Sequence, residues 1–221
     1  MRSNVLQYKK KVWQNAKEGR KMSEMILVTD AKLIVGLYGE SGDYLLPAKE
    51  EDFLSAIDAA HAFLPRDEME NDSAKKQIIA YCVIEKGDSV FMTKRLKKQT
   101  EKRLHGLHSI GVGGHINTED IIDGVNVVKE GLLRELNEEV FISDDYDAEF
   151  LGIINDNATS VNSVHCGACY KIKLKSGDCS VKETEKMEGF FVKKSELKDY
   201  YEYLEGWSKI VVNSEYKDYL G

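Results

Sequence analysis

Three glutamates, Glu135, Glu138 and Glu139, stand in the run GLLRELNEEVF at positions 131–141. On a helix each residue advances about 100°, so spacings of three and four bring side chains onto one stripe. Leu132, Leu133, Leu136 and Val140 then share the opposite side, which is expected to face a core. Carboxylates crowded on one stripe repel, by a few tenths of a kcal/mol per pair on an isolated helix. A hard divalent cation relieves that repulsion, and Mg2+ prefers oxygen ligands shared between carboxylates and phosphates. A solvated acidic face is the plainer alternative, because exposed glutamate is common.

The segment upstream shifts the balance toward chemistry. HSIGVGGHIN (108–117) places Gly111, Gly113 and Gly114 about twenty residues before the acidic stripe. Glycines permit tight turns and close approach of backbone to a ligand. His105, His108 and His115 surround this loop, with Lys94, Arg95, Lys97, Lys98, Lys102 and Arg103 just before it. Such residues suit the binding of substrate phosphates, or form a solvated basic loop.

The elements that must position these groups follow from periodicity. MILVTD (25–30) and KLIVGLY (32–38) read as short strands, and DFLSAIDAAHAF (52–63) as a helix. PRDEMENDS (65–73) reads as a connection. Residues 77–95 read as two strands joined at Lys86-Gly87-Asp88. A helix over about 127–140 is followed by strands in EFLGIIND and SVHCGACYKIKL, then by MEGFFVKKSEL (187–197) as a strand entering a turn. The tail 196–220 is expected to be helical, interrupted near Gly206, and its Tyr200, Tyr201, Tyr203, Leu204 and Trp207 suit core packing or an interface. This order predicts an α/β (α+β) domain with a mixed sheet and helices on its faces. A boundary is expected near residue 74, dividing an N-terminal extension (1–74) from the main domain with its helical tail (75–221).

The motif matches a known pattern. Gly114, preceded by Gly113, and the run Arg134-Glu135-Leu136-Asn137-Glu138-Glu139-Val140-Phe141-Ile142 resemble the signature of the Nudix hydrolases. That signature is Gly, five residues, Glu, seven residues, then Arg-Glu-apolar-any-Glu-Glu-any-Gly-apolar. The resemblance covers roughly residues 75–205. Two departures stand out. Asp120 lies six residues after Gly114, where Glu is expected, and thirteen residues separate it from Arg134. Counting back from Arg134 instead puts Asn126 in the acidic slot, and Glu130 is a third choice, one turn before the arginine. Phe141 replaces the glycine that normally ends the helix.

The resemblance implies a Nudix-like α/β/α sandwich and a metal-dependent pyrophosphohydrolase. The implied substrate is a small-molecule nucleoside diphosphate linked to another moiety, cleaved by water attack on phosphorus with Mg2+ or Mn2+. Arg134, Glu135, Glu138 and Glu139 are then the catalytic set. Glu135, Glu138, Glu139 and the Gly114 carbonyl are the metal ligands. Glu185 or Glu188, from the loop containing Glu183, is the candidate base or extra metal contact, and Arg95, Arg103 and His115 are candidate substrate contacts. Two other readings share the fold. One is a non-catalytic sensor binding a nucleotide or ADP-ribose, motivated by the departures at Asp120 and Phe141. The other is an isoprenoid-diphosphate isomerase, which wants a catalytic cysteine that Cys166 and Cys169 stand on the wrong segment to supply.

Bulk properties narrow the field further. No apolar run approaches the roughly 20 residues that span a bilayer, and a cytoplasmic location is expected. The net charge of −7 disfavours diffuse binding to nucleic acid. Residues 1–21 are an exception, with seven Lys or Arg against Glu18, and read as a solvated helix or an extension. The 74 residues before the boundary are expected to cover the sheet or to build a homodimer contact. Cys82, Cys166, Cys169 and Cys179 do not make a disulfide framework. Cys166 and Cys169, three apart on a predicted strand, point to opposite faces and cannot share a metal.

Overall fold

The structure is a computed structural model that describes residues 23–96 and 106–221. The basic segment 1–21 and the residues Lys97, Lys98, Lys102, Arg103 and His105 lie outside the described residues. Everything is arranged around β3 (Lys75–Lys86), buried over almost its whole length. A strand buried on both faces reads as a nearly continuous apolar run, and IIAYCVI is one. It turns at Gly87 (φ +57°) into β4 (Ser89–Arg95), the hairpin expected from Lys86-Gly87-Asp88.

β3 is paired on both edges. On one it runs parallel to β9 (His165–Leu174), from Gln77 against His165 to Lys86 against Leu174. β8 (Tyr146–Ile154) is antiparallel to β9 on its far side. On the other edge β3 meets β1 (Met25–Asp30), the short strand β6 (Gly111–Val112) and β4. β2 (His61–Pro65) pairs with β1, while β5 (His108–Ser109) and β11 (Met187–Lys193) pair with β4. The result is one mixed nine-stranded sheet, beside a two-stranded sheet of β7 (Val140–Ile142) and β10 (Cys179–Val181).

Helices cover both faces. Ile34 of α1 (Ala31–Tyr38), Phe53 and Ile57 of α2 (Glu50–Ala60), and Val128, Leu132 and Leu136 of α3 (Val127–Glu139) share one core with Ile78, Ala80 and Ile84 of β3. Ile210, Val211 and Val212 of α4 (Gly206–Glu215) pack on the other face against Val83, Met92 and Ile154. This is the α/β/α sandwich predicted. The segment before residue 75 adds β1 and β2 to the same sheet, and α1 and α2 to the same core.

Three local expectations are corrected. KLIVGLY is a helix, not a strand: only Ile34 is buried, Val35 and Leu37 are exposed, and Gly39 at φ +82° ends it. An apolar run of this length does not reveal its period when its neighbours are solvated. The helix read as 52–63 ends at Ala60, and His61–Pro65 leaves it as a strand. Leu133 does not face the core but is 41% exposed. The buried side of α3 is instead Val127, Val128, Gly131, Leu132, Glu135 and Leu136, so it is rotated toward Glu135. Cys166 and Cys169 do lie in opposite cores, and all four cysteines are buried and unpaired.

Candidate active site

The glycine loop is shaped by close approaches. Gly113 has φ +145°, and a Cβ there would fall 1.8 Å from the Ala80 carbonyl oxygen. At Gly114 a Cβ would fall 2.5 Å from Oε2 of Glu135. The first requires glycine for backbone pairing with β3, since the Ala80 N–H donates to the Gly114 carbonyl at 3.1 Å. The second brings the loop directly against the first carboxylate of α3.

α3 begins at Asn126, whose side chain accepts from the N–H groups of Val128 (3.0 Å) and Lys129 (3.4 Å). This is an N-cap, satisfying donors that a helix start leaves free. Asn126 is thereby occupied as a cap, and the acid that meets Arg134 is Asp120. It is 1% exposed and holds Arg134 through both oxygens, Nε to Oδ1 at 2.7 Å and Nη2 to Oδ2 at 3.0 Å. Asp120 is itself fixed by the turn at Thr118–Asp120, where its Oδ2 accepts from the Asn117 N–H at 2.8 Å. Gly131 allows this approach: a Cβ there would lie 3.0 Å from Asp120 Oδ2 and 2.7 Å from Ile116.

Arg134 also donates to the His115 carbonyl (2.8 Å), to Glu135 Oε1 (2.8 Å) and to Glu138 Oε2 (3.2 Å). A guanidinium has five N–H donors, and these contacts engage all five. Arg134 therefore ties the glycine loop, the Asp120 turn and two carboxylates of the helix into one unit.

The three glutamates open on a single cleft of about 730 Å³. Burial pushes the Glu135 carboxyl up to about 6; Arg134 opposes the shift, while Glu138 and Glu139 add to it. Burial likewise raises Glu139, and Glu183 adds repulsion. The donors present are carboxylate oxygens and the Gly114 carbonyl, whose second lone pair is left over from its bond to Ala80. Hard oxygen donors under mutual repulsion fit Mg2+ or Mn2+. Among the described residues no three His, Cys, Asp or Glu side chains converge at ligand spacing, and Arg134 holds Glu138 at 3.2 Å.

Of the candidate substrate contacts, Arg95 and His115 line the cleft, with Arg95 bonded to Glu205 at 2.9 Å. Arg103 lies outside the described residues. Glu185 and Glu188 are exposed, and the cleft's described lining does not include them. Glu183 is the acid of that loop whose charge bears on Glu139, and it also pairs with Lys186 at 2.7 Å.

Outside the motif the cleft is also lined by His165, Asn162, Thr159, Arg66, Glu24 and Trp207, from four separate parts of the chain. Burial lowers His115 to about 3 and also pushes His165 below the usual histidine value.

A mixed sheet between helical layers, with a glycine loop and an Arg-Glu-x-x-Glu-Glu helix closing one cleft, defines the hydrolase class already suggested by the motif. The comparisons agree. The chain is 37% identical over 207 residues to protein YmaB of Bacillus subtilis (strain 168), covering 87% of this chain and 98% of that protein. The crystal structure of Tm1382, described as a candidate Nudix hydrolase, superposes with a TM-score of 0.74 at 38% identity, covering 85% of this chain and 95% of the other. No family model matches the chain. The chain belongs to the Nudix hydrolase family.

Proposed function

We propose that this protein is a metal-dependent pyrophosphohydrolase that cleaves a nucleoside diphosphate linked to another moiety, by water attack on phosphorus. The observation carrying this reading is Glu135, buried against Gly114 and bonded to Arg134, with Glu138 and Glu139 beside it on the same cleft. Glu135, Glu138, Glu139 and the Gly114 carbonyl would hold Mg2+ or Mn2+. The chemistry such an ion supplies is neutralisation of phosphate charge and acidification of water.

The chain's own residues do the rest. Arg134, with every donor engaged, orients Glu135 and Glu138 and takes no part in binding substrate. Asp120 fixes that arginine. Glu139, crowded by burial and by Glu183, carries a repulsion that a bound cation would relieve. Arg95 and His115 stand where substrate must pass.

The test is a panel of nucleoside diphosphate derivatives assayed with Mg2+ or Mn2+. Cleavage of at least one member, with most of that rate lost in Glu138→Gln, is the expected result. Undiminished cleavage by Glu138→Gln would overturn the proposal.

A further inference from the structure

The cleft has two chemically different ends. Near α3 it is acidic. Another part of its lining comes from strand β9, the loop before it and the start of α4, with Arg66 and Glu24, none of which belongs to the family motif. His165 and Gly167 are two apart on β9 and so share a face, roughly 7 Å from one another. The indole of Trp207 sits over Gly167, where a Cβ would meet its Cζ3 at 2.8 Å. It meets the Tyr81 ring edge-to-face at a centroid distance of 5.6 Å, and it lines the cleft. An indole and an imidazole therefore line the same cleft from adjacent same-face positions of β9, Trp207 lying over Gly167 and His165 two residues before it.

The hydrogen bonds fix what His165 offers. Its Nδ1 lies 2.6 Å from the Val161 carbonyl, which accepts only, so Nδ1 carries the proton. In a neutral ring Nε2 is then an acceptor. His115 must donate through its own Nε2 to Gln77 Oε1 at 2.8 Å, because the Gln77 amide nitrogen donates to Met69 at 3.2 Å. That leaves His165 Nε2 only a long 3.4 Å contact to His115. Among the described residues, Arg66 on this wall is held by Glu24 (3.0 Å) and Glu70 (3.3 Å), and Arg95 by Glu205 (2.9 Å). The wall suits a flat, uncharged group better than a second phosphate.

We propose that His165 and Trp207 determine specificity by receiving the nucleoside end of the substrate, Trp207 stacking on its base and His165 Nε2 accepting from an N–H or O–H of that nucleoside. This rests on the pyrophosphohydrolase reading for the orientation of the substrate, but binding tests it without turnover.

ADP and ribose 5-phosphate are titrated by calorimetry into wild type, His165→Phe, His165→Gln and Trp207→Leu, each checked for a native thermal transition. ADP is expected to bind wild type at least tenfold more tightly than ribose 5-phosphate. Trp207→Leu and His165→Phe should each weaken ADP by about tenfold, the scale of one stacked base or one satisfied buried acceptor. His165→Gln, which places an amide oxygen near the Nε2 position, should restore most of the loss. Comparing ADP with 2′-deoxy-ADP and with inosine diphosphate separates a ribose hydroxyl from a base amino group as the donor. Equal ADP affinity in wild type, Trp207→Leu and His165→Phe would overturn the proposal. So would no detectable ADP binding by wild type, or failure of His165→Gln to recover any affinity. If ADP binds as expected but no diphosphate is hydrolysed, the catalytic reading fails and this one stands.

Discussion

Asp120 grips Arg134 with both carboxylate oxygens, at 2.7 and 3.0 Å, although thirteen residues separate them in the chain. Both side chains are shielded, 1% and 18% exposed. Breaking a buried ion pair from one side typically costs about 3–5 kcal/mol, because the remaining charge is left without its partner. Asp120→Ala should lose stability on that scale in denaturant unfolding, and most of its activity with it. Arg134→Lys should be nearly as damaging to activity, since an ammonium cannot reproduce five directed donors.

Glu138 offers a contrasting case. Its side chain is 57% exposed, and its bond to Arg134 is the longest that the arginine makes. Glu138→Gln should leave the unfolding midpoint nearly unchanged. Its kcat should fall roughly 100-fold or more, as expected when a carboxylate that steadies transition-state charge becomes neutral. Steady-state kinetics beside a melting curve separates the two effects.

Glu135 has its folded-state pKa raised to about 6, above the usual carboxylate value. In the metal-free protein the folded state then binds more protons than the unfolded state across this window. The Glu135 contribution to stability is accordingly full below the unfolded pKa and is lost as pH rises through about 6. Comparing wild type with Glu135→Gln in chelator isolates this group. The stability of wild type relative to the variant should decline by on the order of 1 kcal/mol between acid and neutral pH. A relative stability that climbs over that interval would contradict the assignment. Mn2+ affinity should move the other way, strengthening as pH rises through about 6, because the metal must displace the proton.

Gly114→Ala places a methyl 2.5 Å from Glu135 Oε2, so the carboxylate has to turn away. The expected outcome is a folded protein with little activity and weakened Mn2+ binding. Gly113→Ala should behave differently. With φ +145° and a Cβ 1.8 Å from the Ala80 carbonyl, it strikes the backbone itself. Stability should fall by roughly 1–3 kcal/mol or more, the usual cost of a forced backbone conformation, measured by chemical denaturation.

The residues whose meaning is local were legible in the sequence. Spacing along one helix picked out Glu135, Glu138 and Glu139, the family resemblance added Arg134, and the glycines at 113 and 114 announced a close backbone approach. Buried strand runs located β3, β4 and β9. Leu133 was misplaced because the leucines alone suggest an apolar stripe centred too far around α3; the small Gly131 and the buried Glu135 set its true inner face. Asp120 remained one of three choices because counting residues cannot see across a loop. His165 left no signal, and Trp207 only that of an aromatic tail suited to packing or an interface; the pairing of β9 with β3 and the docking of α4 bring them to the cleft.

Between Asp120 and α3 the chain makes an excursion in which Ile121, Ile122 and Val125 are all exposed. The clasp closes its base, so the number of residues hanging outside makes no difference to the carboxylates within. Pattern searches that demand a rigid gap will pass over such chains, whereas a search for the two-pronged contact in space will find them. The same excursion is a natural place to graft a peptide or a fluorophore without disturbing the chemistry beneath.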